Sequence, residues 1–145
     1  MIFCLQMHFL LLALSLPLLS SALPWGTIQS AAVKGKLKCN GEPAGDVKVK
    51  LYDVDTFDLD DLMAEGVSSR DGTFKLAGSE KENTTIDPKI NIYHKCNYNG
   101  MCLKKISIDI PQEYVTEGER PDRVFDIGEI NLAGSFSGES TDCLN

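Results

Sequence analysis

Two runs of alternating residues between Val33 and Leu51 constrain the fold of this chain most strongly. In the first run, Val33–Cys39, apolar or small residues alternate with three lysines. In the second run, Val47–Leu51, two further lysines alternate with aliphatic residues. Side chains alternate between the two faces of a β-strand, so each run predicts a strand with one buried face and one solvent face. A shift of one residue would bury lysines, and the pattern therefore also specifies the register.

The segment between the two runs, residues 40–45, has the sequence NGEPAG. Asn and Gly accept a positive φ, and Pro fixes φ at the value that a turn requires. We therefore expect the two runs to be a strand pair joined by a turn.

Other stretches of the chain show the same period of two. The further strand-like runs are Phe74–Leu76 after the Asp71-Gly72 turn, Ile90–His94, Ile106–Ile110, and Val124–Leu132 with Gly128, Ile130 and Leu132 on its inner face. About seven short strands with almost no helix predict an all-β fold, an antiparallel β-sandwich. The one helical turn that we expect follows Thr56 or Asp58 as N-cap, because Leu59, Leu62 and Met63 have i, i+3, i+4 spacing.

The chain divides into four predicted segments. Residues 1–22 are typical of a cleaved secretory signal peptide, with an apolar run followed by Ser20-Ser21-Ala22. The alternative is an uncleaved membrane anchor, for which the apolar run is short, since about 20 residues are needed to span a bilayer. Residues 23–31 are a loosely held lead-in, residues 32–134 form the sandwich domain, and residues 135–145 form a tail tied down by Cys143.

Four of the five cysteines lie beyond the predicted signal peptide. They are Cys39, Cys96, Cys102 and Cys143. An even number in a secreted chain indicates two disulfides, for which three connectivities exist. A four-thiolate zinc site is the alternative, but such sites usually bring their ligands in close pairs, which this spacing lacks.

Several stretches taken together resemble the nematode transthyretin-like family. They are residues 33–39, 49–53, 60–63, 86–90, 92–96, 110–111, 126–128 and 138–143. The resemblance implies a secreted, disulfide-bonded transthyretin-like (prealbumin-like) sandwich with no established enzyme activity and poorly defined ligands. We expect no cofactor. In that topology Cys96 and Cys102 would staple a hairpin, and Cys143 would pin the tail to Cys39; the other two connectivities stay open.

Another branch of the same fold hydrolyses 5-hydroxyisourate and ends in Tyr-Arg-Gly-Ser. This chain ends in Thr141–Asn145, and His94 is the one histidine outside the predicted signal peptide. The sequence therefore does not support that hydrolase activity. Because His94 is in phase with Ile90 and Ile92, we interpret it as a packed structural residue and not as a ligand or a base.

The lysines of the two opening runs are candidate ligands for an anionic lipid headgroup or a sulfated glycan. They are Lys34, Lys36, Lys38, Lys48 and Lys50. Rows of lysine near a charged membrane attract it by about 1 kcal/mol per residue. The alternative is that they only keep the sheets soluble and unpaired.

The acidic segment after the second run is a weak candidate for a calcium site. Its carboxylates are Asp53, Asp55, Asp58, Asp60 and Asp61. Calcium takes six to eight oxygen ligands, and the spacing lacks the glycine and terminal glutamate of an EF-hand loop. We therefore expect a solvated acidic loop and no metal.

The net charge and one short motif bear on the partners and the modification of the chain. The formal net charge of −7 argues against a nucleic-acid partner. Asn83-Thr84-Thr85 is an N-glycosylation sequon on a predicted surface loop.

The function that we expect is an extracellular binding module for a lipid, a small hydrophobic ligand or a cell-surface protein. The alternatives are a hydroxyisourate-hydrolase-like enzyme and a calcium-dependent adhesion module.

Overall fold

The computed structural model describes residues 26–56 and 59–145, and the predicted signal peptide lies outside these residues. In chain order the elements are β1 Thr27–Cys39, β2 Glu42–Pro43, β3 Lys48–Asp53, β4 Asp61–Val67, β5 Thr73–Glu82, β6 Pro88–His94, β7 Leu103–Asp109, a 3-10 turn Gln112–Tyr114, β8 Thr116–Glu117, β9 Phe125–Asn131 and β10 Ser140–Asp142. The part of the chain that the structure describes contains no helix long and apolar enough to cross a membrane.

The strands form two five-stranded sheets. In the first sheet β1 is central, pairing antiparallel with β2, β5 and β8 and parallel with β9. The second sheet has the order β10-β7-β6-β3-β4 and is antiparallel throughout. The predicted all-β sandwich is therefore confirmed, with the β1–β9 ladder as the parallel exception.

The core lies between the inward faces of the two sheets. The first sheet contributes Val33, Leu37, Phe74 and Leu76, and the second contributes Val49, Leu51, Ile90, Ile92 and Ile106. These are the apolar positions of the alternating runs, while the lysines between them lie on the outer faces. The period of two therefore identified the buried face of each run correctly.

The prediction that the first two runs form a strand pair is wrong, because β1 and β3 belong to different sheets. After Cys39 the chain makes a short hairpin with β2 and then crosses to the other layer. Ser68 holds that crossing, since its hydroxyl donates to the Ala44 carbonyl at 2.6 Å and accepts from the Val47 N–H at 3.0 Å. Alternation fixes which face of a strand is buried, but it does not fix the neighbouring strand.

The predicted lead-in is also wrong for residues 27–31, which are the first part of β1 and pair with β5. Residues 29–33 are all buried, so the segment shows no alternation. Gln29 is satisfied inside the fold, because its Nε2 donates to the Thr84 carbonyl at 2.6 Å and its Oε1 accepts from the Ile86 N–H at 3.2 Å. In the sequence, a buried polar residue whose hydrogen bonds are satisfied inside the fold cannot be distinguished from an exposed loop residue.

The predicted helical turn is a strand. Residues Asp61–Val67 form β4, which pairs with β3 along the edge of the second sheet. Leu59 and Leu62 are exposed by 84% and 47%, so they do not form a helical face on the core. Of the two predicted N-caps, Thr56 precedes no helix and Asp58 lies outside the described residues.

Gly128 does not lie on the inner face of the last strand as predicted. It is exposed and has a φ of +72°, at a register shift in the β1–β9 ladder. Such a bulge needs a residue that tolerates positive φ. The shift turns Ile127 and Ile130 toward the core on either side of the bulge.

The four cysteines form two disulfides, but the predicted pairing is wrong. Cys39 pairs with Cys96, and Cys102 pairs with Cys143, at Cα–Cα distances of 5.7 and 4.4 Å. Cys39 ends β1 and Cys96 follows β6, so this bond joins the two sheets. Cys143 meets Cys102 because β10 pairs with β7, where Asp142 lies opposite Leu103. The tail is thus tied down by Cys143, as predicted, but to the second sheet.

The connectivity leads to a prediction for stability. The bonds close loops of 57 and 41 residues, each of which stabilises by about 4 kcal/mol in the loop-entropy model. We expect Cys39→Ala/Cys96→Ala and Cys102→Ala/Cys143→Ala to lower the free energy of urea unfolding by similar amounts. A difference above about 2 kcal/mol between the two double variants would contradict this, since similar loops should have similar effects.

Candidate functional site: a lysine-lined groove on the first sheet

The five candidate lysines do not form one surface. Lys34, Lys36 and Lys38 lie on the outer face of the first sheet, whereas Lys48 and Lys50 lie on the outer face of the second. The two rows therefore face opposite sides of the sandwich, and no single ligand of small size contacts both.

The lysines on the second sheet are engaged by the protein itself. Lys48 Nζ donates to two oxygens of Asn145, the main-chain O at 3.4 Å and the side-chain Oδ1 at 3.3 Å. The Lys50 side chain is only 12% exposed, lies 3.9 Å from a Glu65 carboxylate oxygen and sits 5.7 Å from the centre of the Tyr93 ring. These contacts make the second row a poor binding surface.

Two lysines of the row on the first sheet, Lys34 and Lys36, line a groove of about 570 Å³ together with Lys75, whereas Lys38 is not part of its lining. In the β1–β5 register, Lys34 lies directly opposite Lys75 and Lys36 lies opposite Thr73. Like charges directly opposite each other on one face of a sheet are unfavourable. The fold therefore brings the ammonium groups of Lys34, Lys36 and Lys75 to one groove, where a bound anion would reduce their mutual repulsion.

Two carboxylates from β9 border the groove and form ion pairs with lysines of β1, one inside the groove and one beside it. Asp126 lies 3.5 Å from Lys34 Nζ, and Glu129 lies 2.6 Å from Lys38 Nζ. The hydrogen bond from Lys38 holds the pKa of Glu129 below its usual value. Among the described residues, neither Lys36 nor Lys75 has a carboxylate within ion-pair distance, so the groove keeps an excess of positive charge.

Close packing beneath the groove keeps its floor in place. A Cβ on Gly35 would collide with the Ile127 side chain and come within 3.0 Å of the Phe74 ring. β9 can therefore approach β1 only because residue 35 is glycine. This parallel ladder brings Asp126, Gly128 and Glu129 to the rim of the groove.

The acidic candidates come together only in part. Ligand oxygens of Asp53, Asp55 and Glu82 lie within 4.8 Å of one another, and Glu82 comes from the end of β5. Asp60 is not part of this group, and Asp58 lies outside the described residues. No pattern in the sequence pointed to Glu82, because only the fold brings the end of β5 next to the end of β3.

Asp53 is the buried member of the acidic group, with 2% of its surface exposed. Burial raises the pKa of Asp53 to about 6, and the charges of Asp55 and Glu82 also raise it. The hydrogen bond that Asp53 accepts from the Asp87 N–H at 2.7 Å lowers the pKa, but by less than burial raises it. The carboxylate is therefore held in a place that disfavours its charge.

The remaining candidates lie apart from both groups. Asn83 is exposed just after β5, as a glycosylation acceptor requires. His94 is 3% exposed at the end of β6, and its Nδ1 accepts from the Cys96 N–H at 3.1 Å. This bond agrees with a structural role for His94.

Comparison with known proteins identifies the family. A family model described as the transthyretin-like family matches residues 34–111. Transthyretin-like protein 5 of Caenorhabditis elegans is 52% identical over 123 residues, which cover 83% of this chain and 88% of that protein. The chain belongs to the transthyretin-like family. Transthyretin-like protein 33 of the same organism is 49% identical over 120 residues, covering 81% of this chain and 83% of that protein.

A comparison of structures adds a remote likeness. The crystal structure of (S)-allantoin synthase matches with a TM-score of 0.45 and 13% identity, covering 81% of this transthyretin-like chain and 45% of that chain. A likeness of this size carries no argument about function. The family assignment rests on the sequence matches alone.

The raised pKa of Asp53 leads to a prediction for stability. The folded protein binds a proton at Asp53 more tightly than the unfolded chain does, so this group favours folding at low pH and the benefit is lost as the pH rises from about 4 through about 6. At pH 7.5 we expect Asp53→Asn to raise the free energy of unfolding by about 1–2 kcal/mol. Asp109→Asn, at a carboxylate with 87% of its side chain exposed, is the control and should change little. Unfolding in urea at pH 7.5 measures both; an unchanged or less stable Asp53→Asn protein would contradict the prediction.

Proposed function

We propose that this transthyretin-like protein is a secreted recognition module that binds an anionic ligand in the lysine-lined groove of the first sheet. Secretion is supported by the predicted signal peptide and by two disulfides, which persist in oxidising compartments. The ligand chemistry is that of a phosphate or sulfate group, as on an acidic lipid headgroup or a sulfated glycan. We expect no catalytic activity and no cofactor.

The observation that carries the proposal is the positive charge at Lys36 and Lys75, neither of which has a carboxylate oxygen of the described residues within 4.0 Å. Lys36 acts on Glu129 and Asp71 only from a longer distance, by lowering the pKa of each. The third lysine of the groove, Lys34, forms an ion pair with Asp126. That carboxylate is 54% exposed, so an incoming anion can compete with it for Lys34. Two neighbouring ammonium groups can bind one anionic group together, and each contributes about 1 kcal/mol near an anionic membrane. Since the whole chain carries a net charge of −7, the remaining surface repels anions and the binding is local.

The absence of an enzyme role is supported by the chemistry of the side chains. All four described cysteines are in disulfides, so they offer no thiolate nucleophile. His94 is buried and accepts a backbone hydrogen bond, which leaves it poorly placed to activate a nucleophile. These features favour binding over hydrolysis as the role of this chain.

The test is binding of the secreted protein to vesicles with and without an acidic phospholipid, and to immobilised sulfated glycan. We expect Lys36→Glu/Lys75→Glu to weaken the preferred ligand by at least tenfold. Lys81→Glu/Lys95→Glu makes the same change of charge away from the groove, at two exposed lysines, and should change binding by less than threefold. Salt at 0.5 M should weaken wild-type binding, because exposed charges are screened at that ionic strength.

The outcomes separate the two sources of the anion and can contradict the site. Vesicle binding alone indicates a lipid headgroup, and glycan binding alone indicates a sulfated chain. Equal losses in the two double variants would show that net charge matters and the groove does not. Binding to neither probe would count against the proposal as a whole.

A calcium-dependent role is a second candidate, favoured by the convergence of Asp53, Asp55 and Glu82. Three carboxylates supply only part of the six to eight oxygens that calcium takes, and backbone carbonyls or water would have to supply the rest. Calorimetry with calcium chloride should show a binding heat that Asp53→Asn removes. No heat with the wild-type protein excludes this role.

A further inference from the structure

Three charged or titratable side chains meet at the end of the sandwich that carries the disulfides. His94 ends β6 and lies directly opposite Lys104 of β7. Both are in phase with the inward-facing Ile92 and Ile106, so they lie on the core side of the second sheet. The third side chain is Glu139, which immediately precedes β10.

Glu139 is delivered by the segment that joins the two sheets, residues 133–139, which we name the crossover. It begins after the buried Leu132, and its Phe136 packs against the core. The Glu139 N–H donates to the Phe136 carbonyl at 3.2 Å. The crossover therefore closes this end of the sandwich over His94 and Lys104.

The hydrogen bonds among the three side chains are incomplete. Lys104 Nζ contacts Glu139 Oε1 at 2.6 Å, and His94 Nδ1 accepts from the Cys96 N–H at 3.1 Å. A neutral ring that accepts at Nδ1 carries its proton on Nε2. Among the described residues, His94 Nε2 and Glu139 Oε2 are buried without any hydrogen-bond partner.

Protonation of His94 would disturb this arrangement in two ways. The new proton would bind to Nδ1, which now accepts the hydrogen bond from the Cys96 N–H. Two N–H donors would then face each other, and that hydrogen bond would be lost. The net charge of the three side chains would also change, from zero for the Lys104–Glu139 pair with a neutral His94 to +1. Burial lowers the pKa of His94 below its usual value; Glu139 raises it and Lys104, from the neighbouring strand, lowers it further.

We propose that the crossover is an acid-released clasp: protonation of His94 loosens residues 133–139 from the core side of the second sheet, while Cys102–Cys143 keeps the tail attached. The clasp is closed at neutral pH, when His94 is neutral and Lys104 pairs with Glu139. Opening exposes Phe136 and the end of the core between the layers. The device is independent of the lysine-lined groove, which lies on the outer face of the other sheet.

The sign of the effect follows from linkage. An exposed histidine has a pKa of about 6.5, and in the closed state His94 takes up its proton less readily. The closed state is therefore fully favoured above that pH and loses stability as the pH falls below it. One proton is involved, so the opening equilibrium rises by at most about tenfold per pH unit. Asp53 has the opposite sign, but it lies beside Pro88, at the far end of β6.

Hydrogen exchange read by mass spectrometry tests the clasp on the full protein. After correction for the intrinsic exchange rate, we expect the protection of peptides covering residues 133–139 to fall at least threefold between pH 7.0 and 5.5. His94→Asn should abolish this pH response, because the Asn carbonyl can accept the Cys96 N–H but takes up no proton in this range. Asp109→Asn, at an exposed carboxylate near the other end of β7, is the matched control and should retain the response of the wild-type protein.

Either of two results would overturn the proposal. One is protection of the crossover that is the same at both pH values, and the other is a pH response that persists in His94→Asn. If that variant does not fold, an NMR titration of the wild-type His94 ring decides the matter. A midpoint below 6.5 is expected, and a midpoint at or above 6.5 removes the basis of the clasp.

Discussion

The covalent join between Cys39 and Cys96 is the constraint on which the arrangement of the two layers depends. One cysteine ends the central strand of the first sheet and the other follows the central strand of the second. Asn40 and Asn97, the residues that follow, exchange side-chain amide hydrogen bonds at 2.9 and 2.8 Å. The layers are therefore held face to face at one end, where the crossover and the second disulfide also lie.

The sequence predicted faces better than it predicted neighbours. The alternating runs identified strands and their buried sides in β1, β3, β6 and β7, because period-two alternation records burial directly. It could not show that β1 and β3 lie in different layers, since both have the same pattern. Segments without alternation were missed: Gln29–Val33 is buried on both faces, and β4 is an edge strand with Leu62 and Val67 exposed. The disulfide pairing depended on β10, whose three residues have no hydrophobic signal.

For the candidate site too, the sequence predicted which side chains face outward but not which residues lie next to them. The lysine rows were visible in the sequence, but the layer assignment places them on opposite sides of the sandwich. Lys75 joins the first row only through the β1–β5 register, and Asp126 and Glu129 reach the rim only through the parallel β1–β9 ladder. Charge patterning along one strand thus indicates a surface, while its local balance of charge depends on partners that are distant in sequence.

The disulfide pattern of the purified, non-reduced protein tests the two-layer account most directly. Proteolysis of the non-reduced protein must include cleavage after Tyr98, which separates Cys96 from Cys102. Mass spectrometry should then find one linked peptide pair containing Cys39 with Cys96 and another containing Cys102 with Cys143. Peptides that link Cys96 to Cys102, or Cys39 to Cys143, would contradict both the join between the sheets and the pairing of β10 with β7.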